Sequence, residues 1–449
     1  MTEMSLRASK GARWGALAIV SVTMMCAYFV TDVMAPLEDL LIRTYSWSST
    51  EYGIFTGAYG WFNVFLFMLL LGGIILDKAG IRFTGTMACC LMVGGALLKA
   101  YAVSQWFSGG GTIAGINSQV AVAGLGFATF GMGAEIAGIT VSKVIVKWFT
   151  GYELALAMGL QVAVARLGTA LALSFSLPVA KRMGEVSAPV WLGVALLCIG
   201  LVTFLVYHIM DRKLDASVKL TVEDGEEGFK LSDIRMIVAN KGFWMIAFLC
   251  LLFYAGIFPF LKFATKLMIY KYHVPDHIAG LIPGLLPFGT ILLTPLFGTL
   301  YDRAGKGTTL MLVGAAIMTG VHVLFALPIC EVWWFATIVM ILLGVAFSLV
   351  PSALWPSVPK IIPQKQLGTA FSLIFLIQNF GLITVPMLIG RVIDRFALQT
   401  LPDGTTAYDY SIPMAIFAAF GLLACFATLL LKAEDRKAGY GIEAKPHRT

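Results

Sequence analysis

The sequence predicts an all-α integral membrane fold, with twelve transmembrane helices in two pseudo-symmetric six-helix bundles. Three observations predict it. The first is composition: of 449 residues, 59% are hydrophobic and only 13% charged, with a mean hydropathy of +0.85. An ordinary soluble domain is about 25% charged, and no soluble core has room for so much apolar side chain. The second is a series of apolar runs, each long enough for the roughly 20 residues that cross ~30 Å of hydrocarbon. The third is a repeat. Gly73-Ile-Ile-Leu-Asp77-Lys78-Ala-Gly80-Ile-Arg82 recurs 225 residues later as Gly298-Thr-Leu-Tyr-Asp302-Arg303-Ala-Gly305-Lys306, half the chain away.

The spans are expected in order. Six lie near residues 14–36, 50–76, 83–106, 117–145, 154–179 and 188–210. Six more lie near 243–268, 277–300, 308–329, 332–358, 367–392 and 412–432. Between the two sets runs a polar stretch rich in Asp, Glu, Lys and Arg. The domains expected are therefore an N-terminal bundle over 1–210, a linker over 211–241 and a C-terminal bundle over 242–449. Arg7, Lys10 and Arg13 precede the first run, which lacks a clear small-residue cleavage site and reads as a retained span.

An even number of spans puts both termini on one side. Of the 32 Lys and Arg, 22 then fall in segments on that side and seven in loops on the other. The positive-inside bias makes the first side cytoplasmic, and it accounts for the net charge of +7 without any nucleic-acid partner. Three cations remain at membrane depth: Lys99, Arg166 and Lys262. Lys99 is near the end of its span and is expected to snorkel outward. The seven Cys lie mostly in apolar runs and read as buried small hydrophobes. His273 and His277 have metal-like spacing, but Pro275 breaks any helix between them, so they read as loop residues and no metal is expected. No H-E-x-x-H, G-x-S-x-G or Walker pattern occurs, so enzymatic and ATP-driven readings lack support, and no cofactor is expected.

Each copy of the repeat joins two helices on the cytoplasmic side. Gly73 and Gly298 allow close helix approach. Asp77 and Asp302 can cap a helix or pair with a cation, and Lys78, Arg82 and Arg303 anchor at the lipid surface. Gly80 and Gly305 complete the loops. One copy is a weak signal, whereas two at corresponding places in two six-span halves form a strong one. On these residues the chain resembles the major facilitator superfamily over essentially its whole length. That resemblance implies two bundles rocking about a central site, with the repeated loops latching the inner gate, and a secondary transporter built on such a repeat is a known architecture.

Two charges interrupt otherwise apolar helices, Glu135 and Arg166. Charge at the bilayer centre is costly, so such residues face a cavity, a partner or a substrate. The turn between the fourth and fifth spans centres near Thr150. Glu135 lies 15 residues before it and Arg166 16 after it. At ~1.5 Å per residue, both sit roughly 23 Å from the turn, at matched depth on antiparallel helices. Either they form a structural ion pair, or they clamp a zwitterion. In the second reading Glu135 meets an amino group and Arg166 holds a carboxylate with its planar fork.

A closer resemblance runs through Phe130-Gly131-x-Gly133-x-Glu135 and Trp148-Phe149-x-x-x-Glu153-Leu154-x-Leu156-x-x-Gly159-Leu160-Gln161-x-x-x-Ala165-Arg166-x-Gly168. It continues through Tyr28-Phe29-x-x-Asp32, Trp61-x-Asn63, Phe258-Pro259-Phe260, Ala353-Leu354-Trp355-Pro356, Gln366-Leu367-Gly368-Thr369-Ala370 and Gln378-Asn379-x-Gly381-Leu382. These stretches resemble the lysosomal dipeptide transporter branch of the superfamily. The branch implies passive transport of small peptides, with Glu135 and Arg166 reading the peptide termini. Lys262 departs from the branch, adding a second cation in or near the cavity. An acidic dileucine signal in the N-terminal tail and an N-x-[ST] sequon are both missing. The expected location is therefore a bacterial plasma (inner) membrane, multi-pass, with cytoplasmic termini, and no accessory partner is implied.

Further site candidates are softer. Asp32 can titrate or bind an amine, or cap the helix end beside Pro36. Tyr59 and Asn63, one helical turn apart, can line the cavity or bond a neighbouring helix. Trp355 is a cavity wall or an interface anchor. Gln378 and Asn379 are polar and mid-span. The leading function is secondary transport of dipeptides or similar zwitterions by a monomer, as a uniporter. The alternatives are a proton-coupled organic-anion transporter using Arg166 and Lys262 as paired cations, and a non-transporting membrane receptor, for which matched loops in both halves have no use.

Overall fold

The computed structural model describes residues 8–113, 115–149, 152–217, 231–363, 366–400 and 406–444. The middle of the expected linker, 218–230, and the turn residue Thr150 lie outside the described residues. In the first half the helices are α1 (Lys10–Asp32), α2 (Glu38–Tyr45), α3 (Ser49–Gly57), α4 (Trp61–Phe65), α5 (Met68–Ala102), α6 (Ser118–Phe149), α7 (Leu154–Met183) and α8 (Ala188–Ser217). In the second they are α9 (Leu231–Ala239), α10 (Lys241–Tyr270), α11 (Asp276–Ala279), α12 (Leu281–Ala304), α13 (Gly307–Ala326), α14 (Trp333–Ile361), α15 (Leu367–Val392) and α16 (Ser411–Ala438). Two small antiparallel hairpins complete the chain, β1–β2 (Thr112–Ile113, Ile116–Asn117) and β3–β4 (Leu398–Thr400, Thr406–Tyr408).

Among the described residues, eleven helical stretches are long and apolar enough to cross a membrane, not the twelve expected. The difference lies in the second expected span. It is broken into α3, a 3-10 turn at Ala58–Gly60, α4, and the start of α5. Phe67 supplies one break by taking a left-handed conformation, φ 51°. Helix α5 then carries the chain through the first repeat loop, where Gly80 has φ 78° and ψ 171° and turns the backbone out of helical geometry. A side chain is rarely accommodated at that φ.

Local chemistry sets the helix ends. Ser48 and Glu51 form a reciprocal capping box at α3, each accepting from the other's backbone N–H at 3.0 Å. Asn240 caps α10 by accepting from the Gly242 and Phe243 amides at 2.8 and 3.3 Å. Within the first half α5 packs on α6, and α1 on α7 and α8. The α5–α6 contact is backbone on backbone: a Cβ on Gly95 would fall 2.3 Å from the Phe130 amide nitrogen. Small residues at such crossings replace the hydrophobic drive that lipid removes. In the second half α13 packs on α14 and α16, α12 on α14, and α10 on α15 and α16.

The two halves meet along a seam formed by α3 with α15, α7 with α12, and α10 with the turn at Ala35–Leu37. The seam is closed on the face opposite the repeat loops. There a Cβ on Gly53 would lie 2.3 Å from the Pro386 carbonyl oxygen. Charges seal it as well. Glu38 and Lys266, each with 1% of its side chain exposed, pair at 3.2 Å. Tyr270 donates to Asp39 at 2.7 Å, the Ser49 and Thr50 amides donate to Asp394 at 2.8 and 2.7 Å, and Lys181 pairs with Asp276. Among the described residues, the hydrogen bonds and ion pairs between halves lie on this face or just beneath it. On the repeat-loop side no hydrogen bond or ion pair joins the halves among the described residues, and Phe65 on α4 and Leu292 on α12 are 63% and 78% exposed.

Two smaller expectations are corrected. Lys99 does not snorkel; it is 0% exposed, donates to the Val30 carbonyl at 2.7 Å and sits 4.5 Å from the Phe127 ring. Helix α1 lies across the route outward. Of the seven Cys, only Cys26, Cys89 and Cys250 are buried, Cys425 is partly so, and Cys90, Cys198 and Cys330 are exposed. Cys90 and Cys198 are on transmembrane helices, where outward-facing thiols meet lipid and need no core.

Candidate functional site

Glu135 projects from the middle of α6 and Arg166 from the middle of α7, both partly exposed. They do not pair, so of the two readings the structural ion pair is the one the geometry lacks. Glu135 instead accepts a hydrogen bond from the Tyr59 hydroxyl at 3.0 Å. The Arg166 guanidinium lies among rings, 5.8 Å from the centroid of Tyr28, 5.4 Å from Phe258 and 4.9 Å from Phe347. Tyr28 belongs to the first half, whereas Phe258 and Phe347 belong to α10 and α14 of the second. Arg166 therefore reaches across the seam through ring faces, which attract a cation without neutralising it. The arrangement leaves one carboxylate and one guanidinium, neither in an ion pair, available to opposite charges on a ligand.

The other candidates divide. Asp32 ends α1 and does not cap it; it bonds Lys262 across the seam at 2.6 Å and accepts from Thr169 at 2.7 Å. Lys262 also donates to the Thr31 carbonyl at 3.0 Å. The second cation thus already has its counter-charge, and the two expected loose charges form one cross-half tie. Tyr59 joins Glu135, but Asn63 is buried and donates to the Gly131 carbonyl at 3.4 Å, bracing α4 on α6. Tyr59 lies in the 3-10 turn and Asn63 in the α4 that follows it, and both reach α6. Trp355 is partly exposed and its indole N–H donates to Tyr254 at 3.0 Å. Gln378 and Asn379 are buried on α15; Gln378 accepts weakly from Cys250, and Asn379 donates to the Phe375 carbonyl at 2.9 Å.

The repeat loops also differ from expectation. In the first, Asp77 pairs with Lys143 at 2.5 Å, and Arg82 with Asp215 at 3.0 Å and Asp211 at 3.5 Å, all within the first half. Asp302 and Arg303 make no hydrogen bond or ion pair among the described residues. Gly73 and Gly298 have nothing within 4 Å of a Cβ added there, so neither mediates a close helix approach in this conformation. His273 and His277 lie in a turn and in short α11, and no metal-holding cluster occurs among the described residues.

Sequence reasoning missed Tyr254, Phe258 and Phe347 as neighbours of Arg166, since aromatic residues in a lipid-spanning run look like ordinary filler. It also missed Glu38, Lys266 and Asp394. One signal was available: Lys262 and Lys266 are four residues apart, on one face of α10, and both meet acids of the first half.

Comparison with known proteins gives this geometry a family. The major facilitator superfamily model matches residues 17–386 and 268–447. The chain is 28% identical over 394 residues to the lysosomal dipeptide transporter MFSD1 of Bos taurus, covering 84% of this chain and 79% of that protein. It is 29% identical over 396 residues to that of Mus musculus, covering 84% and 80%. Among solved structures, a bacterial homologue of the human lysosomal transporter Spinster, inward-facing and occupied, superposes with a TM-score of 0.71 at 14% identity, covering 96% of this chain and 98% of that one. A D-xylose–proton symporter superposes at 0.68 and 13% identity, covering 92% and 97%. These solved structures share the fold. Family, fold and helix composition agree: the chain is a multi-pass membrane protein belonging to the major facilitator superfamily, a secondary transporter and not an enzyme.

Proposed function

We propose that this transporter carries dipeptides or similar small zwitterions as a uniporter, by alternating access between two bundles spanning 1–210 and 242–449. The carrying observation is that Glu135 and Arg166 stand on the neighbouring helices α6 and α7 without neutralising each other. A zwitterion stripped of water needs one opposite charge at each end. Glu135 supplies the anion, oriented by Tyr59, and Arg166 supplies the cation, held by rings that leave its N–H fork available. The curated relatives being dipeptide transporters supports the same choice. The seam is closed on one face and open on the repeat-loop face, the geometry of one endpoint of alternating access. The repeat-loop face is the cytoplasmic one in this reading, with both termini there, the chain a monomer, and the membrane a bacterial inner membrane.

An organic-anion carrier built on paired cations fits less well, because Lys262 is already tied to Asp32. The test is a thermal-shift comparison in detergent. Ligand binding stabilises by RT ln(1 + [L]/Kd), so even millimolar affinities register at high ligand concentration. Free dipeptides should raise the melting temperature, whereas N-acetylated or C-amidated analogues should not. Arg166→Ala should cost about 2–5 kcal/mol of binding, because it leaves a buried carboxylate unpaired. Equal shifts with blocked analogues would falsify the clamp, and binding of simple carboxylates would then favour the anion carrier.

A further inference from the structure

The rings around the two charges are distributed unequally. Beside Glu135, Tyr59 packs on Phe127 and Phe130 at centroid distances of 5.4 and 6.4 Å. Those two phenylalanines are 2% and 0% exposed, so their surface is already used in the core. Beside Arg166 the rings form a connected wall on the second half. Phe258 touches Phe347 at 5.4 Å and Tyr254 at 5.5 Å, and Tyr254 touches Trp355 at 6.3 Å. Trp355 continues the wall to Phe375 at 5.1 Å and Phe371 at 5.9 Å. Phe258, Trp355, Phe371 and Phe375 all keep part of their surface exposed. The wall's one internal polar contact, the Trp355 indole N–H to the Tyr254 hydroxyl, occupies the indole donor, so the face it offers is apolar. The guanidinium stands over the near end of this wall, against Phe258 and Phe347.

We infer that the wall formed by Tyr254, Phe258, Phe347, Trp355, Phe371 and Phe375 is a specificity subsite for the C-terminal side chain of a peptide. The inference rests on the zwitterion reading above. A carboxylate held by Arg166 brings the adjoining Cα next to the wall, and a large apolar or aromatic side chain there removes its own surface and the exposed rings from water. The residue whose amine meets Glu135 finds buried rings and a hydroxyl, and gains no such surface. The transporter therefore distinguishes the order of residues in a dipeptide, preferring a large apolar residue at the C-terminal position.

The test uses two isomers, Ala-Phe and Phe-Ala, which share composition, net charge and termini. Titration of each into the purified transporter, read by melting temperature or calorimetry, should give an affinity about tenfold higher for Ala-Phe, equivalent to ~1.4 kcal/mol. In Trp355→Ala and in the milder Phe375→Leu, the ratio should fall toward one. Because both isomers are measured on one preparation, a general loss of folded protein affects both alike and leaves the ratio intact. Equal affinities in the wild type, a preference for Phe-Ala, or a ratio unmoved in both variants overturns the subsite while leaving the zwitterion clamp standing. If neither isomer binds, nor Ala-Ala, the clamp has failed and the subsite falls with it.

Discussion

The two repeat loops occupy the same frame of sequence and are held in different ways. In the first half the loop is braced by ion pairs between helices. Asp77 meets Lys143, Arg82 meets Asp211 and Asp215, and Lys147 bridges those two aspartates at 2.7 Å each. In the second half the bracing is done by the chain after α16. Glu443 accepts from the Thr309 amide at 2.8 Å and from the Thr308 and Thr309 hydroxyls, at the start of α13, where Lys306 gives no side-chain cap. Lys360 donates to the Gly441 carbonyl at 2.9 Å, and Asp435 accepts from the Ile442 and Glu443 amides at 3.0 and 3.2 Å. What both copies keep is the glycine, Gly80 at φ 78° and Gly305 at φ 66°. The repeat preserves a backbone turn that only glycine takes readily, while its charges are paired in the first copy and, among the described residues, Asp302 and Arg303 have no partner in the second.

The largest test of that difference is Asp211. Its side chain is 2% exposed and gathers Lys147, Arg82 and the Tyr207 hydroxyl. Asp211→Ala leaves Lys147 and Arg82 with Asp215 alone and takes the acceptor from the buried Tyr207 hydroxyl, and should cost about 3 kcal/mol of stability. Asp435, 224 residues on, holds two backbone amides among the described residues, and Asp435→Ala should cost about 1–2 kcal/mol. Denaturation of both variants in one detergent checks the order. Equal losses would mean that the halves are braced alike after all.

A medium effect sharpens the second-half arrangement. Burial pushes the Glu443 carboxyl up, but the Thr308 and Thr309 donors and Lys432 pull it down further, leaving it below its ordinary 4.5. A carboxyl lowered in the folded state contributes stability above its unfolded pKa and loses it as pH falls through the folded one. Glu443→Ala should therefore cost about 1 kcal/mol near neutral pH, as the loss of a helix cap does. The gap to wild type should begin to narrow once pH drops below about 4.5. A gap that persists unchanged at the lowest pH the protein tolerates would remove the charge from the argument.

Much of the architecture was legible, and for physical reasons. Helical rise is fixed, so counting residues from a turn put Glu135 and Arg166 well inside their helices, and both stand near the middle of α6 and α7. A left-handed turn demands glycine, so the repeat marked both loops. The rest depended on side chains from distant segments. Phe65-Leu66-Phe67 carries no proline or glycine, so nothing local announced the break at Phe67. Lys99 lies near the end of an apolar run and looked free to reach water, but the Val30 carbonyl and the Phe127 ring of other helices hold it inside. The partner of Lys262 is Asp32, 230 residues away, and whether a buried cation is free or tied decides which substrates its cavity favours.

The smallest effect separates the two loop aspartates themselves. Asp77 and Lys143 are about half exposed, 51% and 44% of their side chains. An exposed pair gains little over its hydrated parts, because water and salt screen the attraction and both side chains lose rotamer freedom. Asp77→Asn should therefore cost about 0.2–1 kcal/mol, shrinking as salt is raised. Asp302→Asn breaks no contact among the described residues and should leave the stability of this conformation unchanged. Repeating both measurements at low and high ionic strength gives the comparison its sharpest form. The first-half loop should show a salt-dependent loss, and the second should show none. A salt-dependent loss at Asp302 of the same size would reveal a partner for it in solution, and the two loops would then be latched by charge in the same way.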